Sequence, residues 1–322
     1  MLLHGLFYVS LSFLAIFSAN ATDLNASTSN APTPSKKIAI TFDDLPYAGI
    51  QAANVDGMRS VNEKIISIIK NYHIPAIGFV NEKLLLAFGP DKVDEVTAII
   101  KLWLEAGLDL GNHTYSHLLL YTTPLAVYEQ DVIKGEPVTS KLLNDNHMKM
   151  RYFRHPYLST GPTLEIKRAF ETFLKERGYT IAPVTIENED FKFNLAYAKA
   201  KNANDIQAMQ RIGKEYLEMT EKKIEFYENF SQRLFNRQIN QVMLLHDSPL
   251  NADYFEDIVK LIQKRGYEFI SLEEALKDEV YSLPDNSVGE SDTWLTRWAY
   301  TKGENIDWDK YPTYKGDEKY SP

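Results

Sequence analysis

The chain has no cysteine among its 322 residues. That excludes disulfides, thiolate metal ligands, a cysteine nucleophile and lipid attachment through sulfur. Any metal site must therefore be assembled from histidine, aspartate and glutamate. Histidine is scarce, with seven in the chain, so two of them close together carry information. Basic charge is not in excess. The net charge is −9, which argues against a nucleic-acid surface. Tryptophan is rarer still, and three of the four lie in the last 42 residues. Against these scarcities, a hydrophobic content of 44% and a charged content of 25% fit a globular rather than a disordered chain.

Residues 1–21 stand apart. An apolar run over 6–17 carries only two serines, and Ala19-Asn20-Ala21 supplies the small-x-small pattern of a cleavage site. The run is short for a membrane span. We read a signal peptide and expect a secreted or periplasmic protein with no stable membrane span after cleavage. The start has no Lys or Arg, which keeps an uncleaved N-terminal anchor as the alternative. Residues 22–35, rich in Asn, Ser, Thr and Pro, read as a linker.

From residue 36 the chain alternates between short apolar runs and segments of helical rhythm. Strands are expected at 38–44, 76–80, 108–112, 151–153, 179–186, 241–245 and 267–270. Helices are expected at 55–72, 91–106, 124–146, 163–177, 253–265 and from 272. The polar stretch 194–237 carries an apolar stripe that slips phase, so it reads as one long helix or two broken near Gly213. Seven alternations favour a parallel α/β architecture. A closed barrel is expected over an open sheet, because each cluster of chemically interesting residues follows the end of a different strand. Residues 281–322 form a C-terminal tail. Its tryptophans either pin it to the barrel, the reading we favour, or form a rim on which sugar rings stack.

The first strand ends on Asp43-Asp44. Two adjacent acids repel, so a cation must hold them ionised or one must take up a proton. Taken alone, the pair is the ordinary start of an exposed turn. His113 and His117 stand four apart just past the third strand; coiled into one helical turn, they share a face. With Asp44 they make a two-histidine, one-carboxylate set, which is how a catalytic zinc is held. Asp43 is then free to act as a base, with Arg154 the candidate to pair with it. Neighbouring strand residues point to opposite faces, so the chain must leave strand geometry at Asp44 if both acids serve one site. Leu244 and His246 point to the same side of the sixth strand, which suits an acid above a small apolar floor. Asp190 and Asp247 are each placed to orient that imidazole. The other histidines read as surface or structural.

Four motifs in order resemble the polysaccharide deacetylase family, also known as the NodB-homology domain or carbohydrate esterase family 4. They are Thr41-Phe42-Asp43-Asp44-Leu45-Pro46, His113-Thr114-Tyr115-Ser116-His117, Arg154-His155-Pro156-Tyr157 and Leu244-Leu245-His246. Asp190-Phe191 is a fifth, weaker match. The resemblance covers residues 36–280 and implies a distorted (β/α)7 barrel, to which residues 281–322 are a C-terminal extension that the family pattern does not explain. It implies one divalent metal, Zn2+ with Co2+ or Ni2+ as alternatives, held by Asp44, His113 and His117. It implies Asp43 as base, Arg154 holding Asp43, and the backbone N–H of Tyr157 facing an oxyanion. It further implies His246 as general acid tuned by Asp190, and Leu244 lining the acetate pocket. Leu45 departs from the family's glycine and Phe191 from its tryptophan, which leaves those two walls of the site open. The implied activity is hydrolysis of N-acetyl groups on an amino-sugar poly- or oligosaccharide. Alternatives are a non-sugar amide or O-acetyl ester as substrate, and a non-catalytic carbohydrate-binding barrel.

Overall fold

The computed structural model describes residues 36–49, 54–317 and 319–320. The signal peptide and the linker expected from the sequence lie outside the described residues. Among the described residues no helix is long and apolar enough to cross a membrane.

In chain order the elements are β1 (Lys36–Leu45), α1 (Val55–Asn71), β2 (Ile77–Val80), α2 (Val93–Glu105), β3 (Asp109–Asn112), α3 (Leu125–Lys134), α4 (Pro137–Asp145), β4 (Tyr152–Phe153), α5 (Leu164–Glu176), β5 (Thr180–Ile181), β6 (Ile186–Glu187), α6 (Asp190–Asn202), α7 (Ile206–Phe235), β7 (Gln241–His246), α8 (Pro249–Lys264), β8 (Tyr267–Phe269), α9 (Leu272–Ala275) and α10 (Trp294–Thr301). All strand pairings are parallel, in the order β5-β4-β3-β2-β1-β7-β6, with β8 also on β1. This is the α/β, curled-sheet architecture of a distorted barrel.

The strand expected at 179–186 is two strands, β5 and β6, at opposite ends of that order. Pro183 lies between them and brings no N–H to a ladder. The neighbouring amides bond outward instead: Ala182 N–H donates to Phe153 O at 2.8 Å and Thr185 N–H to Val242 O at 2.9 Å. The seam of the barrel is thus bridged by four residues of chain rather than by a ladder.

β1 is the axis. Ile38, Ala39, Ile40 and Phe42 are buried, as expected of a strand covered on both faces. The Phe42 ring meets Trp103 of α2 and Phe255 of α8 edge-on, at 5.5 and 5.2 Å. Beneath it, Trp103 Nε1–H donates to Asn62 Oδ1 at 2.8 Å, and the Asn62 amide donates to Pro46 O at 2.8 Å. The loop that follows the two aspartates is thereby tied to the core.

Helix starts follow capping chemistry. Asn54 accepts from Gly57 N–H at 2.8 Å, Thr163 from Ile166 N–H at 3.3 Å and Ser248 from Asn251 N–H at 3.3 Å. With Pro249 at its first turn, α8 begins four residues earlier than the sequence pattern indicated. The helix expected at 124–146 is broken into α3 and α4 at Gly135-Glu136-Pro137. The 194–237 stretch holds the end of α6 and all of α7. α7 runs unbroken through Gly213, which packs against the Tyr254 ring of α8.

Candidate active site

Asp43 and Asp44 leave β1 in different ways. Asp43 keeps strand register opposite His246 of β7. Asp44 sits at φ 62°, in the left-handed region, and the β1–β2 register shifts between Phe42 and Leu45. That single left-handed residue resolves the conflict of two neighbouring carboxylates on one site, at the strain a non-glycine residue carries there. Leu45, the departure in the first motif, is fully buried and meets Gly78 of β2, so it packs the core rather than the cleft.

His113 and His117 do converge, but not through a helical turn. Residues 113–117 are irregular, with Thr114 and His117 at φ 63° and 56°. The two rings lie 4.8 Å apart. Asp131 of α3 holds this loop, its carboxylate accepting from Ser116 N–H and Ser116 Oγ at 2.9 and 2.7 Å. His113 Nδ1–H donates to Arg154 O at 2.9 Å, which leaves Nε2 as the free lone pair. Asp44 Oδ1 lies 3.6 Å from His113 Nε2 and 3.4 Å from His117 Nε2. One ligand atom from each of the three falls within 4.8 Å of the others, a set able to hold a metal ion. Burial, reinforced by neighbouring His117, pushes the His113 imidazole down to about 3, so it stays neutral as a ligand must.

Asp43 is almost wholly buried. Arg154, itself fully buried, donates from one terminal nitrogen to both carboxylate oxygens at 3.3 and 3.4 Å. Its other groups are all taken: Nε donates to Ala182 O at 2.9 Å and the second terminal nitrogen to Thr41 Oγ1 at 3.0 Å. The guanidinium lies 4.7 Å from the Phe79 ring. A guanidinium held at this many points is a fixed charge. Burial raises the Asp43 carboxyl above the ordinary carboxylate range, with Arg154 as the largest opposing influence.

Facing Asp43 is His246. Its Nδ1–H donates to Asp190 Oδ1 at 2.7 Å and its backbone N–H to Asp190 Oδ2 at 2.7 Å. Burial opposes a charge on the imidazole, but Asp190 outweighs it and, with Asp44 and Asp43 adding, pushes it up to about 10. Of the two acids the sequence offered as its orienter, Asp190 has the place. Asp247 points away: its carboxyl is buried and pushed well above the usual range, and its backbone serves the β1 loop, accepting from Ala48 N–H at 2.7 Å.

Behind Asp190 stands a relay the sequence reading missed. Asn251 donates to Asp190 Oδ2 at 2.6 Å, Tyr216 donates to Asn251 Oδ1 at 2.6 Å, and Asn188 donates to the Tyr216 hydroxyl at 3.0 Å. No local signal links residues from three elements. Thr41 was within reach, because it lies two residues before Asp43 on the same strand face.

Leu244 packs with Leu158 and Val184 in a small apolar cluster. Tyr157, at φ 58°, sets its ring 4.4 Å from His117. The Phe191 ring lies 6.1 Å from His246. Asp43, Asp44, His113, His117, Tyr157, Asp190, Phe191, Leu244 and His246 line one cleft of about 590 Å3; Arg154 lies directly behind Asp43, and Asp247 is not part of the lining. His155 is structural, packed on Phe153 and Phe170 at 5.2 and 5.5 Å.

No curated protein matches the sequence. Among solved structures, a wild-type CE4 family pseudoenzyme from Bacillus anthracis aligns with 76% of this chain and 66% of its own, at 14% identity and a TM-score of 0.50. A mutant of it with restored enzymatic activity aligns over 76% and 68%, at 16% identity and a TM-score of 0.50. A peptidoglycan deacetylase from Bacillus subtilis aligns over 76% and 93%, at 20% identity and a TM-score of 0.47. At these identities the likeness to the Bacillus anthracis structures is one of fold. The sequence itself matches the family described as Polysaccharide deacetylase over residues 30–182, a span that includes Asp43, Asp44, His113, His117, Arg154 and Tyr157 and stops short of Asp190 and His246. Over residues 30–182, then, the chain is similar to the polysaccharide deacetylase family, and its fold is that of the CE4 structures.

Proposed function

We propose that this protein is a metal-dependent hydrolase that removes N-acetyl groups from amino sugars. One observation carries the reading: a buried carboxylate fixed by an arginine, an Asp-His-His set and an Asp-supported histidine face one another in a single cleft. The donor set of one carboxylate and two imidazoles, with His113 Nε2 left free by its bond to Arg154 O, fits a divalent ion of the zinc type. When bound, such an ion polarises the amide carbonyl and lowers the pKa of water.

The chain's own residues do the rest. Asp43 takes the proton of the attacking water as the new C–O bond forms, and Arg154 keeps that carboxylate aimed. The backbone N–H of Tyr157 donates to the oxygen on which charge develops. His246 Nε2–H gives its proton to the amine nitrogen as the C–N bond breaks, yielding acetate and a free amine. Asp190 keeps that imidazole protonated at neutral pH. Leu244, with Leu158 and Val184, receives the acetyl methyl group, and Phe191 borders the sugar. All the groups such a reaction requires are present, which disfavours a non-catalytic binding barrel. The signal-like start of the sequence supports a substrate met outside the cytoplasm.

The test is acetate release from a panel of N-acetylated oligosaccharides, with and without chelator. Acetate release that chelator abolishes and Zn2+ restores is expected. Full activity in a metal-free protein, or release from O-acetyl or non-sugar amide substrates alone, would overturn the reading.

A further inference from the structure

The catalytic cleft is not built by the barrel alone. Ser291, Asp292, Thr293, Thr296, Trp308 and Tyr311 of the C-terminal tail line the same cavity as Asp43, His113 and His246. The tail's tryptophans divide by environment. Trp298 and Trp294 are 1% and 8% exposed and belong to the main core, whereas Trp308 is 46% exposed. Burial in the core accounts for the first two and not for the third.

Trp308 is nevertheless held. It opens a short 3-10 turn over 308–310, and its ring meets Tyr311 edge-on at 5.3 Å. Tyr311 is anchored in turn: the buried Lys223 ammonium lies 3.6 Å from its ring centre, and its hydroxyl donates to Glu187. An indole fixed by its edge, with surface left to solvent, is a preorganised flat surface. Tyr157 and Phe191, 52% and 53% exposed, line the same cleft. Of the exposed large apolar side chains, three thus gather at one opening, and that opening holds the candidate chemistry. Asp292 and Ser291 of the tail line the same cleft. A cleft that offers an apolar face together with acceptors and hydroxyls matches a pyranose, whose C–H face is apolar and whose edge carries hydroxyls.

We infer that the tail forms a sugar-stacking subsite centred on Trp308, so that the preferred substrate is a short, neutral N-acetylated oligosaccharide with a second ring beyond the reacting one. This rests on the deacetylase reading for the position of the reacting ring. A cavity of about 590 Å3 is of small-molecule size, within the range of about 300–1,000 Å3, and so suits about two rings rather than the interior of a long polymer.

The test uses the full chain and the mono- and disaccharide of N-acetylglucosamine. In the wild type, kcat/KM should rise from the one-ring to the two-ring substrate. In Trp308→Ala that ratio should fall toward one, with the loss in KM rather than kcat and a size of about 2- to 12-fold. Trp308→Phe should recover most of it. Melting curves of both variants check the fold, since a merely structural tryptophan would lower the melting temperature and leave the ratio alone.

Binding is measured in parallel, by titrating the disaccharide into Asp43→Asn protein with and without Trp308→Ala. That arm reads the subsite even if no acetate is released, so failure of the chemistry and failure of the subsite are separate results. A length ratio or a disaccharide affinity indifferent to Trp308, or no disaccharide binding at all, would overturn the inference.

Discussion

Asp43 and Asp44 are chemically identical and adjacent, yet the structure gives them different surroundings, and that difference is testable. Asp44 faces two imidazoles at 3.4 and 3.6 Å, while Asp43 faces a guanidinium at 3.3 Å. Asp44→Asn should therefore lower zinc content, and activity with it. Asp43→Asn should retain zinc and lose about 10²–10⁴ in kcat, the usual cost of a missing general base. Metal analysis and turnover on the same preparations decide between them; an empty site in Asp43→Asn and a full one in Asp44→Asn would exchange the roles. His246 supplies a pH test. A general acid works below its pKa, and Asp190 pushes that of His246 up to about 10 against the cost of burial. The rate should hold through neutral pH and fall as pH rises through about 10. In Asp190→Asn the largest cause of the upward shift is gone and Asp44 and Asp43 remain, so the alkaline fall should move down toward the ordinary histidine value of about 6.5. A pH–rate profile of both proteins checks this, and a fall at the same pH in both would assign the limb to another group.

At the scale of elements, the loop carrying His113 and His117 takes its shape from α3. The loop approaches so closely that a Cβ on Gly135 would lie 2.6 Å from Thr114 C and 2.7 Å from Tyr115 N. Both contacts are backbone, so no side chain can swing aside. Gly135→Ala should cost about 1–3 kcal/mol in stability. It should also reduce zinc content, although the residue is not itself a candidate ligand. A melting curve and metal analysis read the two effects, and a variant with wild-type values of both would show that α3 does not set the loop. The same place shows what the sequence could and could not convey. Gly135 and Pro137 were visible breakers inside a segment read as one helix, because its apolar rhythm runs on across them. α6 was missed for the opposite reason. Phe193, Asn194, Ala196, Tyr197, Ala198 and Ala200 are all buried, so the helix has no single apolar face to produce a periodic signal. β5 and β6 are two residues each, too short for alternation to register, and only Pro183 marks their separation. The site was more legible than the elements, because its residue types are rare and each cluster follows a strand end.

At the scale of the molecule, the sequence favoured the tail as a strap over a sugar-stacking rim; the structure packs α10 into the core and puts Trp308 and Tyr311 on the wall of the cleft. Trp294, Leu295, Trp298 and Ala299 of α10 lie in the same core as β1 and α7. Trp294 N–H donates to Val184 O at 2.7 Å, beside the barrel seam, and Arg297 is fully buried against Asp285 at 2.8 Å. The last stretch attaches mainly by polar bonds, Asp317 to Arg211 at 2.8 Å, Lys319 to Asp205 at 2.6 Å and Tyr314 N–H to Glu189 at 2.9 Å, with the Tyr314 ring stacked 3.8 Å from Phe193. Two truncations separate these layers. Removing residues 281–322 exposes the apolar bed of α10 and leaves the seam uncovered, so insoluble protein, or a melting temperature far below that of the full chain, is expected. Removing only residues 304–322 takes away Trp308, Tyr311 and Tyr314 but keeps α10. It strips the ring lying over the buried Lys223, yet Glu187 and Glu189 remain within 3.3 and 3.7 Å of that ammonium. The shorter truncation should therefore stay folded with a lowered melting temperature and bind zinc as the full chain does, because among the described residues the partners of Asp44, His113 and His117 lie outside the removed segment. Circular dichroism melts and metal analysis of the two proteins are the measurements. A long truncation that melts like the full chain would make the tail an accessory to the cleft alone, and a short truncation that loses zinc would make the far end of the chain part of the metal site's support.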